Sequence, residues 1–506
     1  MRNNYDYNIS LPPIPTISIQ LILIITALFN YLQALSPITS TLLNGGDKII
    51  LGTSSELPEY SCDNAPDIPN TAMGTGGVMY LGGNIVSGPQ DSLVDLLLPN
   101  SIEDLDKEFA FTFLLSSRLF IRPHDLLGRL LLNVPEEEPL DRLVALLSIW
   151  TNTFPYDFRD ERIMCHVKHI VARCANTGLG DVVSELLSAL LNRLTELEQH
   201  EKELRACQSL VDETELIKWP SATQLAQILC RIERKLAKHI GPEEFVQCSS
   251  TVHISRNKKS ESKPSGSGGP GGQDSKKTCN LESYLDWSAR LRLLVSNEIL
   301  LCNGIRDRSK VVELWSGVAQ YCLLVGNYNS ATVILESLES PAIARLQATW
   351  SKLSTTSQQL DCMQRHADGC GDLWIKQTGG NSDGDKQPQQ KVAASSIISK
   401  TKPNDWVVIP VFADIVRLAV QTREECLTKL PNGHMNVAAF YRLAAVVGAF
   451  TRHMSDVNSI LTETGEYENV CRHMQNCTLQ TDRDLMLASF DCEEPTSQEK
   501  QAYHLV

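Results

Sequence analysis

The chain lacks the excess of basic residues that nucleic-acid binding needs. Lys and Arg number 46 against 60 Asp and Glu, which gives a net charge of −14. Proteins that bind DNA or RNA use Lys and Arg to displace counterions from the phosphates. The acidic balance therefore argues against a nucleic-acid partner. It leaves a protein partner open, because a contact patch can differ in charge from the whole molecule.

The chain also lacks the local signatures of several enzyme classes. No G-x-x-x-x-G-K-[ST] loop is present, which excludes a P-loop NTPase. No H-E-x-x-H motif or kinase signature set occurs either. The 15 cysteines are scattered without regular spacing, unlike the cysteines of a secreted disulfide framework. We interpret them as reduced thiols of a cytoplasmic protein, and we expect no cofactor.

One group of metal-type side chains has helical spacing. Cys362, His366 and Cys370 lie four residues apart, so a helix would place them on one face. A structural zinc site needs a fourth ligand and usually a C-x-x-C pair. Ordinary thiol and imidazole side chains are therefore the favoured interpretation, and we expect no metal. A cysteine-dependent or metal-dependent enzyme stays a minor alternative.

A long apolar segment lies near the N-terminus. No charged residue occurs between Asp6 and Asp47, and residues 17–35 are largely apolar, a length that suits a bilayer span. Polar residues within the segment weaken a span, and the single Arg before it gives poor support for a signal peptide. Two alternatives stay open: membrane association through residues 17–35, and an N-terminal segment that is docked or poorly ordered. The composition favours the second.

Composition changes sharply near residue 90. Residues 1–90 are rich in Pro, Gly, Ser and Asn outside the apolar segment, so we expect them to be mostly disordered. Residues 91–215 carry leucines at helical spacing with hardly any β-type alternation, which predicts a bundle of helices.

A second helical domain is predicted over residues 216–490. Disordered insertions near 254–278 and 377–403 interrupt it, the first of them rich in Gly and Ser, and residues 491–506 form a C-terminal tail. The helices predicted within this domain include 343–353 and 408–427. The fold class is therefore all-α, with two packed helical domains joined and interrupted by flexible linkers.

Eight short segments resemble, in the same order, the Ras guanine-nucleotide exchange factor family. The first two are similar to its N-terminal helical module and the others to its catalytic domain. Chance is a poor explanation, because the order is kept over most of the chain. In particular, the sequence resembles the subgroup called Ras-GEF domain-containing family member one, whose activity is directed at Rap-type GTPases. The matching segments are residues 111–120, 153–162, 225–246, 280–287, 326–330, 345–350, 409–410 and 430–436.

The resemblance implies an exchange factor that uses no covalent chemistry. In the family, a helical hairpin opens the switch regions of a small Ras-like GTPase, and the matching segment here is 411–429. Glu424 takes the position of the carboxylate that competes with the nucleotide phosphate, and Val420 that of the apolar residue that crowds Mg²⁺. Their i, i+4 spacing places both on one helix face. Without the family, a core Val and a solvated Glu would be expected.

Further residues follow from the same resemblance. Arg308 and Asn329 match supporting positions, although helix surfaces and caps explain them equally well. Cys279 stands where the family commonly has Arg, and Glu339 where it commonly has Asn. These two departures favour an alternative function, a degenerate exchanger that binds a GTPase as a scaffold without exchange. In the N-terminal module we expect the following core residues: Phe113, Leu114, Phe120, Trp150, Phe154 and Tyr156.

Overall fold

The structure is a computed structural model that describes residues 71–73, 77–81, 83–208, 219–248, 279–353, 363, 408–455 and 465–503. The apolar segment 17–35, both predicted insertions and the Cys362, His366 and Cys370 group lie outside these ranges. Within them, no helix combines the length and the apolar character that crossing a bilayer requires. The same ranges contain no cluster of three or more side chains suited to a metal ion.

Helices dominate the described residues, which confirms the predicted all-α fold class. These residues form two compact units. The first lies within Met1–Val78 and Gly88–Glu196, and the second within Met79–Ser87 and Leu197–Val506. The chain passes from the first unit to the second within one long helix, Gly180–Gln208.

The first unit is a group of helices started by local signals. The Asp106 side chain accepts from the backbone N–H groups of Glu108 and Phe109 and so begins the helix Lys107–Ser117, while Pro123 occupies the first position of the helix Pro123–Leu132. Two 3₁₀ turns, Ile102–Asp104 and Pro155–Arg159, complete the unit. The α-helices are α1 Gln90–Asp95, α2 Lys107–Ser117, α3 Pro123–Leu132, α4 Asp141–Thr153, α5 Glu161–Cys174 and the first part of α6 Gly180–Gln208.

The core of the first unit contains most of the predicted anchors. Phe120 is only half-buried, with its ring edge-on to Phe113 at 6.1 Å between centroids. A buried ion pair lies beside them: Arg118 donates to both carboxylate oxygens of Asp157, at 2.8 and 3.0 Å. The predicted core residues that are buried are Phe113, Leu114, Trp150, Phe154 and Tyr156.

The second unit contains the remaining helices. The helices are α7 Ala222–Lys238, α8 Pro242–Gln247, α9 Cys279–Leu300, α10 Ile305–Val325, α11 Tyr328–Leu338, α12 Pro341–Ala344, α13 Gln347–Trp350, α14 Phe412–Leu427, α15 Val437–Ser455, α16 Gly465–Asn476, α17 Asp482–Cys492 and α18 Ser497–Ala502. Helices α9, α10 and α11 pack on one another, α7 packs on α10, and α14 packs on α15 and on α8.

Three elements of this unit differ from the sequence prediction. The predicted helix 343–353 is divided between two short helices, α12 and α13. The predicted helix 408–427 begins at Phe412, because Ile409 forms a β-bridge with Asn327 and Val411 is an extended N-cap. Pro410 also disfavours helical backbone at the residue before it. The predicted tail 491–506 contains a folded helix, α18, and the Arg345 guanidinium binds its Glu499 at 2.9 Å.

A few short strands accompany the helices: β1 Thr71–Met73, β2 Met79–Leu81, β3 Asn84–Gly88 and β4 Met435–Asn436. Strands β2 and β3 pair antiparallel, and Gly83 takes the positive φ of 87° that the tight turn between them needs. Strand β4 is the next neighbour of β3. The sequence predicts a mostly disordered region up to residue 90, so this hairpin differs from that expectation.

Candidate functional site

Helices α14 and α15 form a helical hairpin, and only its first helix lies within the segment 411–429 named in the sequence analysis. They pack against each other and are joined by residues 428–436. Apolar residues of α14 recur three or four positions apart, so one face of the helix is buried against the unit. The opposite face, which carries Arg417, Gln421 and Glu424, is exposed. The buried positions of α14 are Phe412, Ala413, Ile415, Val416, Ala419, Thr422, Arg423 and Cys426.

An aromatic cluster holds the beginning of α14, which we call the hairpin base. The Phe412 ring stacks on Tyr284 with 4.3 Å between centroids. Phe245 lies edge-on to it at 6.0 Å, and Phe450 of α15 lies at 5.4 Å. Aromatic contacts of this kind add about 0.5–1.5 kcal/mol each beyond the burial of area. The base is therefore fixed to helices α8, α9 and α15 at once.

A buried polar network lies directly beneath the base. Asn329 accepts a hydrogen bond from the backbone N–H of Phe412 at 3.1 Å. Its amide group donates to Glu233 at 3.2 Å and to Ser288 at 3.1 Å. The Glu233 carboxyl also accepts from Ser330 at 2.6 Å and from Tyr284 at 3.1 Å. Burial raises the pKa of Glu233.

Arg308 and Asn329, the predicted supporting residues, are both buried. Asn329 binds the first N–H of the hairpin helix, so it can act on the hairpin from within. Arg308 donates to Thr349 at 3.0 Å and to the carbonyls of Cys302 and Cys492. None of these three residues lies on the hairpin. As placed, neither predicted side chain is exposed to a partner, and a supporting role would have to be indirect.

Val420 and Glu424 lie one turn apart toward the end of α14. The Glu424 side chain is 59% exposed, and its Oε1 lies 3.2 Å from the Arg423 guanidinium. Val420 is half-buried. Neither residue is enclosed by the described parts of the unit, so both are open to a docking partner. Their role at a nucleotide stays a prediction.

The charges at the end of α14 break a local rule of helix stability. Its last turn contains Glu424 and Glu425 and no basic residue. A carboxylate near a helix C-terminus meets the negative end of the helix dipole, at a cost of about 0.3–1 kcal/mol. Arg423 binds Glu424, and Arg442 of α15 binds Glu425, which offsets part of this cost. Local rules are broken most often at functional sites.

The residues that join the two helices, 428–436, contact the strand hairpin. Gly433 has a positive φ of 81° and closes the turn. His434 Nδ1 lies 3.3 Å from Ser87 Oγ, and β4 is the neighbour of β3 in the sheet. Residues 79–87 therefore help to hold the far end of the helical hairpin. No sequence signal pointed to this contact, because it joins residues about 350 positions apart.

The sequence interpretation missed Arg423. Its guanidinium is buried and donates to the carbonyl oxygens of Val246 and Cys248, at 3.0 and 2.5 Å. A signal was present, because position 423 falls on the apolar face of α14 together with Val416 and Ala419. A charged residue on such a face needs a buried partner. Of the two departures from the family, Glu339 is the exposed C-cap of α11 and Cys279 begins α9.

Comparison with known proteins gives consistent matches. The RasGEF domain matches residues 224–373. Ras-GEF domain-containing family member 1B of Homo sapiens is 30% identical over 406 residues, 74% of this chain and 81% of that protein. The Bos taurus protein of the same name is 29% identical over 450 residues, covering 83% and 90%. Ras-GEF domain-containing family member 1C of Mus musculus is 29% identical over 473 residues, covering 88% and 95%.

Proposed function

This chain belongs to the Ras-GEF domain-containing family, and we propose that it binds a Rap-type small GTPase and speeds the release of its bound nucleotide. Membership of the family gives it a Ras-GEF role in general. The Rap-type partner and the use of the helical hairpin as the exchange element are the specific parts of the proposal. The exchange needs no covalent step, no cofactor and no metal held by this chain.

The observation that carries the proposal is the placement of Glu424 and Val420. They lie one turn apart near the end of a helix whose beginning is fixed by packing and by Asn329. Glu424 is exposed and Val420 half-buried. A rigid base with an accessible, acidic end is the arrangement needed to push a carboxylate into another protein.

The chemistry of the GTPase explains why these residue types would work. A Ras-like GTPase holds its nucleotide through the backbone N–H groups of its phosphate loop and through Mg²⁺. The Glu424 carboxylate is an anion that those N–H groups can bind in place of a phosphate. The methyl groups of Val420 cannot ligate a hard cation, which accepts oxygen ligands. Binding of the hairpin would therefore weaken nucleotide binding, a coupling between two ligands of one GTPase.

The test is a nucleotide-release assay on a panel of Ras, Rap and Ral proteins loaded with a fluorescent guanine nucleotide. We expect the full chain to accelerate release from Rap-type proteins most strongly. No acceleration on any member of the panel would reject the proposal, and a preference for Ras or Ral would reject its Rap-type part.

A scaffold that binds a GTPase without exchange is the second candidate, and Cys279 and Glu339 favour it. It predicts a complex by gel filtration with an unchanged rate of release. It also predicts that Cys279→Arg combined with Glu339→Asn restores exchange, because Arg supplies a fork of five donors. If the chain itself accelerates release, this candidate is excluded.

A further inference from the structure

The buried guanidinium of Arg423 joins the hairpin helix to another element of the second unit. It donates to the carbonyls of Val246 and Cys248, at the end of α8. Carbonyl groups at a helix end have no partner within the helix, so Arg423 supplies donors that these groups need. Its side chain is 10% exposed. Burying a charge is costly unless it is hydrogen-bonded, so the Arg423 guanidinium needs these hydrogen bonds to stay buried.

The position of this contact along α14 decides what it controls. Phe412 lies at the base, and Arg423 lies eleven residues further, about 16 Å along the helix axis at 1.5 Å per residue. Beyond Arg423, only Cys426 of this helix is buried. The aromatic cluster fixes where α14 begins. A helix held only there could tilt, and a small tilt at the base becomes a large displacement at the end. Arg423 is the buried polar contact that opposes it, whereas the pair of Arg442 with Glu425 near the same end is exposed.

Arg423 also touches the predicted functional carboxylate itself. Its Nη2 donates to Glu424 Oε1 at 3.2 Å, while Nη1 serves the two carbonyls. One planar group thus connects α8, α14 and Glu424. A Lys ammonium could reach the carbonyls, but it is a compact point charge without a second, fixed nitrogen for Glu424. The geometry therefore favours a guanidinium over an ammonium group at this position.

We propose that Arg423 is the positioning residue of the exchange hairpin: it fixes the direction of the end of α14 against α8 and holds Glu424 ready for the phosphate loop. This inference rests on the proposed function for its catalytic part. Its structural part, the fixed direction of the helix end, can be measured without any GTPase. Arg423 itself is buried and does not need to touch the partner.

The test compares Arg423→Met, Arg423→Lys and a matched control, Arg173→Met, in the full chain. Arg173 lies on α5 of the first unit, outside the hairpin, and donates to the carbonyls of Val134, Pro135 and Glu138 at 3.3, 2.6 and 3.1 Å. In Arg423→Met we expect the maximal rate of nucleotide release to fall about tenfold or more. The half-saturating concentration should change less than about twofold, because the loss affects a step after docking. Arg423→Lys should recover part of the rate, and Arg173→Met should match the parent.

Hydrogen–deuterium exchange supplies the second measurement. Arg423→Met should raise the exchange of amides in residues 420–427 about tenfold, with 412–419 unchanged. Parental rates and parental protection in Arg423→Met would overturn the inference. Uniform loss of protection across the unit would also overturn it, because Arg423 would then be a general stability residue. If Arg423→Met does not fold, Arg423→Lys decides by the same two readouts. A parent chain inactive on every GTPase would reject the proposed function. The hydrogen–deuterium exchange data would still test whether Arg423 fixes the direction of the helix end.

Discussion

At the scale of single residues, the second unit buries a carboxyl group that should remain protonated near neutral pH. Glu244 accepts from the backbone N–H of Leu281 at 2.8 Å and of Gly241 at 3.1 Å, and from the Asn280 amide at 3.1 Å. Burial raises the pKa of Glu244 to about 8, and the neighbouring Glu243 adds to the rise. The three donors oppose the rise without cancelling it.

The raised pKa of Glu244 predicts the sign of a pH dependence. The unfolded carboxyl loses its proton near its ordinary pKa of 4.5, whereas the folded one keeps it to about 8. Between these values the folded state binds the extra proton, so the free energy of unfolding falls as pH rises, by about 1.4 kcal/mol per pH unit from this group. Urea unfolding between pH 5 and 8 should show that the free energy of unfolding depends less on pH in Glu244→Gln than in the parent. Parallel curves for parent and variant would contradict this.

The first unit contains a buried and an exposed ion pair, so the effect of burial on their contribution to stability can be compared. Arg118 and Asp157 are almost fully buried, and Trp150 also donates to Asp157 at 2.8 Å. Arg118→Met should lower the free energy of unfolding by about 3–5 kcal/mol, because a buried carboxylate loses its cation. The control is Arg162→Met, whose exposed pair with Asp160 should contribute less than about 1 kcal/mol. Urea denaturation measures both, and equal losses would be the contrary result.

At the scale of elements, both the local sequence pattern and the tertiary packing determine the helical hairpin. The period of the apolar residues predicts α14, and the helix starts four residues later than the periodicity alone suggests, after the bridge of Ile409 and the extended N-cap Val411. The base is fixed by residues from α8, α9, α11 and α15, all distant in sequence. The local sequence therefore predicts the helix, whereas residues distant in sequence fix its position.

The proposed role of the hairpin predicts the effect of replacing its exposed pair. Val420→Asp with Glu424→Ala should abolish accelerated release, because the acidic group and the apolar group at the Mg²⁺ site are both lost. The fold should persist by circular dichroism, since neither side chain is buried. The matched control is Val182→Asp with Glu185→Ala, an exposed Val and Glu on α6 of the first unit. Fast release by the α14 variant would show that the exchange element lies elsewhere.

At the scale of the whole molecule, the family membership and the all-α class were both predictable from sequence. Short segments keep their order over most of the chain, and the comparisons agree over 74–88% of it. The strand hairpin 79–88 and helix α18 were not predicted. Both are short elements whose stability depends on partners far along the chain: β4 for the hairpin, and Arg345 for α18.

The sequence by itself predicted most of the long helices, because helical periodicity is a local property, and its resemblance to the family nominated Val420 and Glu424. Only the tertiary structure decided that Arg308 and Asn329 lie inside the unit. It alone also decided that Arg423 binds α8 and that residues 79–87 reach the end of the hairpin. A side chain's partners across the fold depend on how the elements pack, and no spacing along one helix specifies which distant carbonyl or strand will face it.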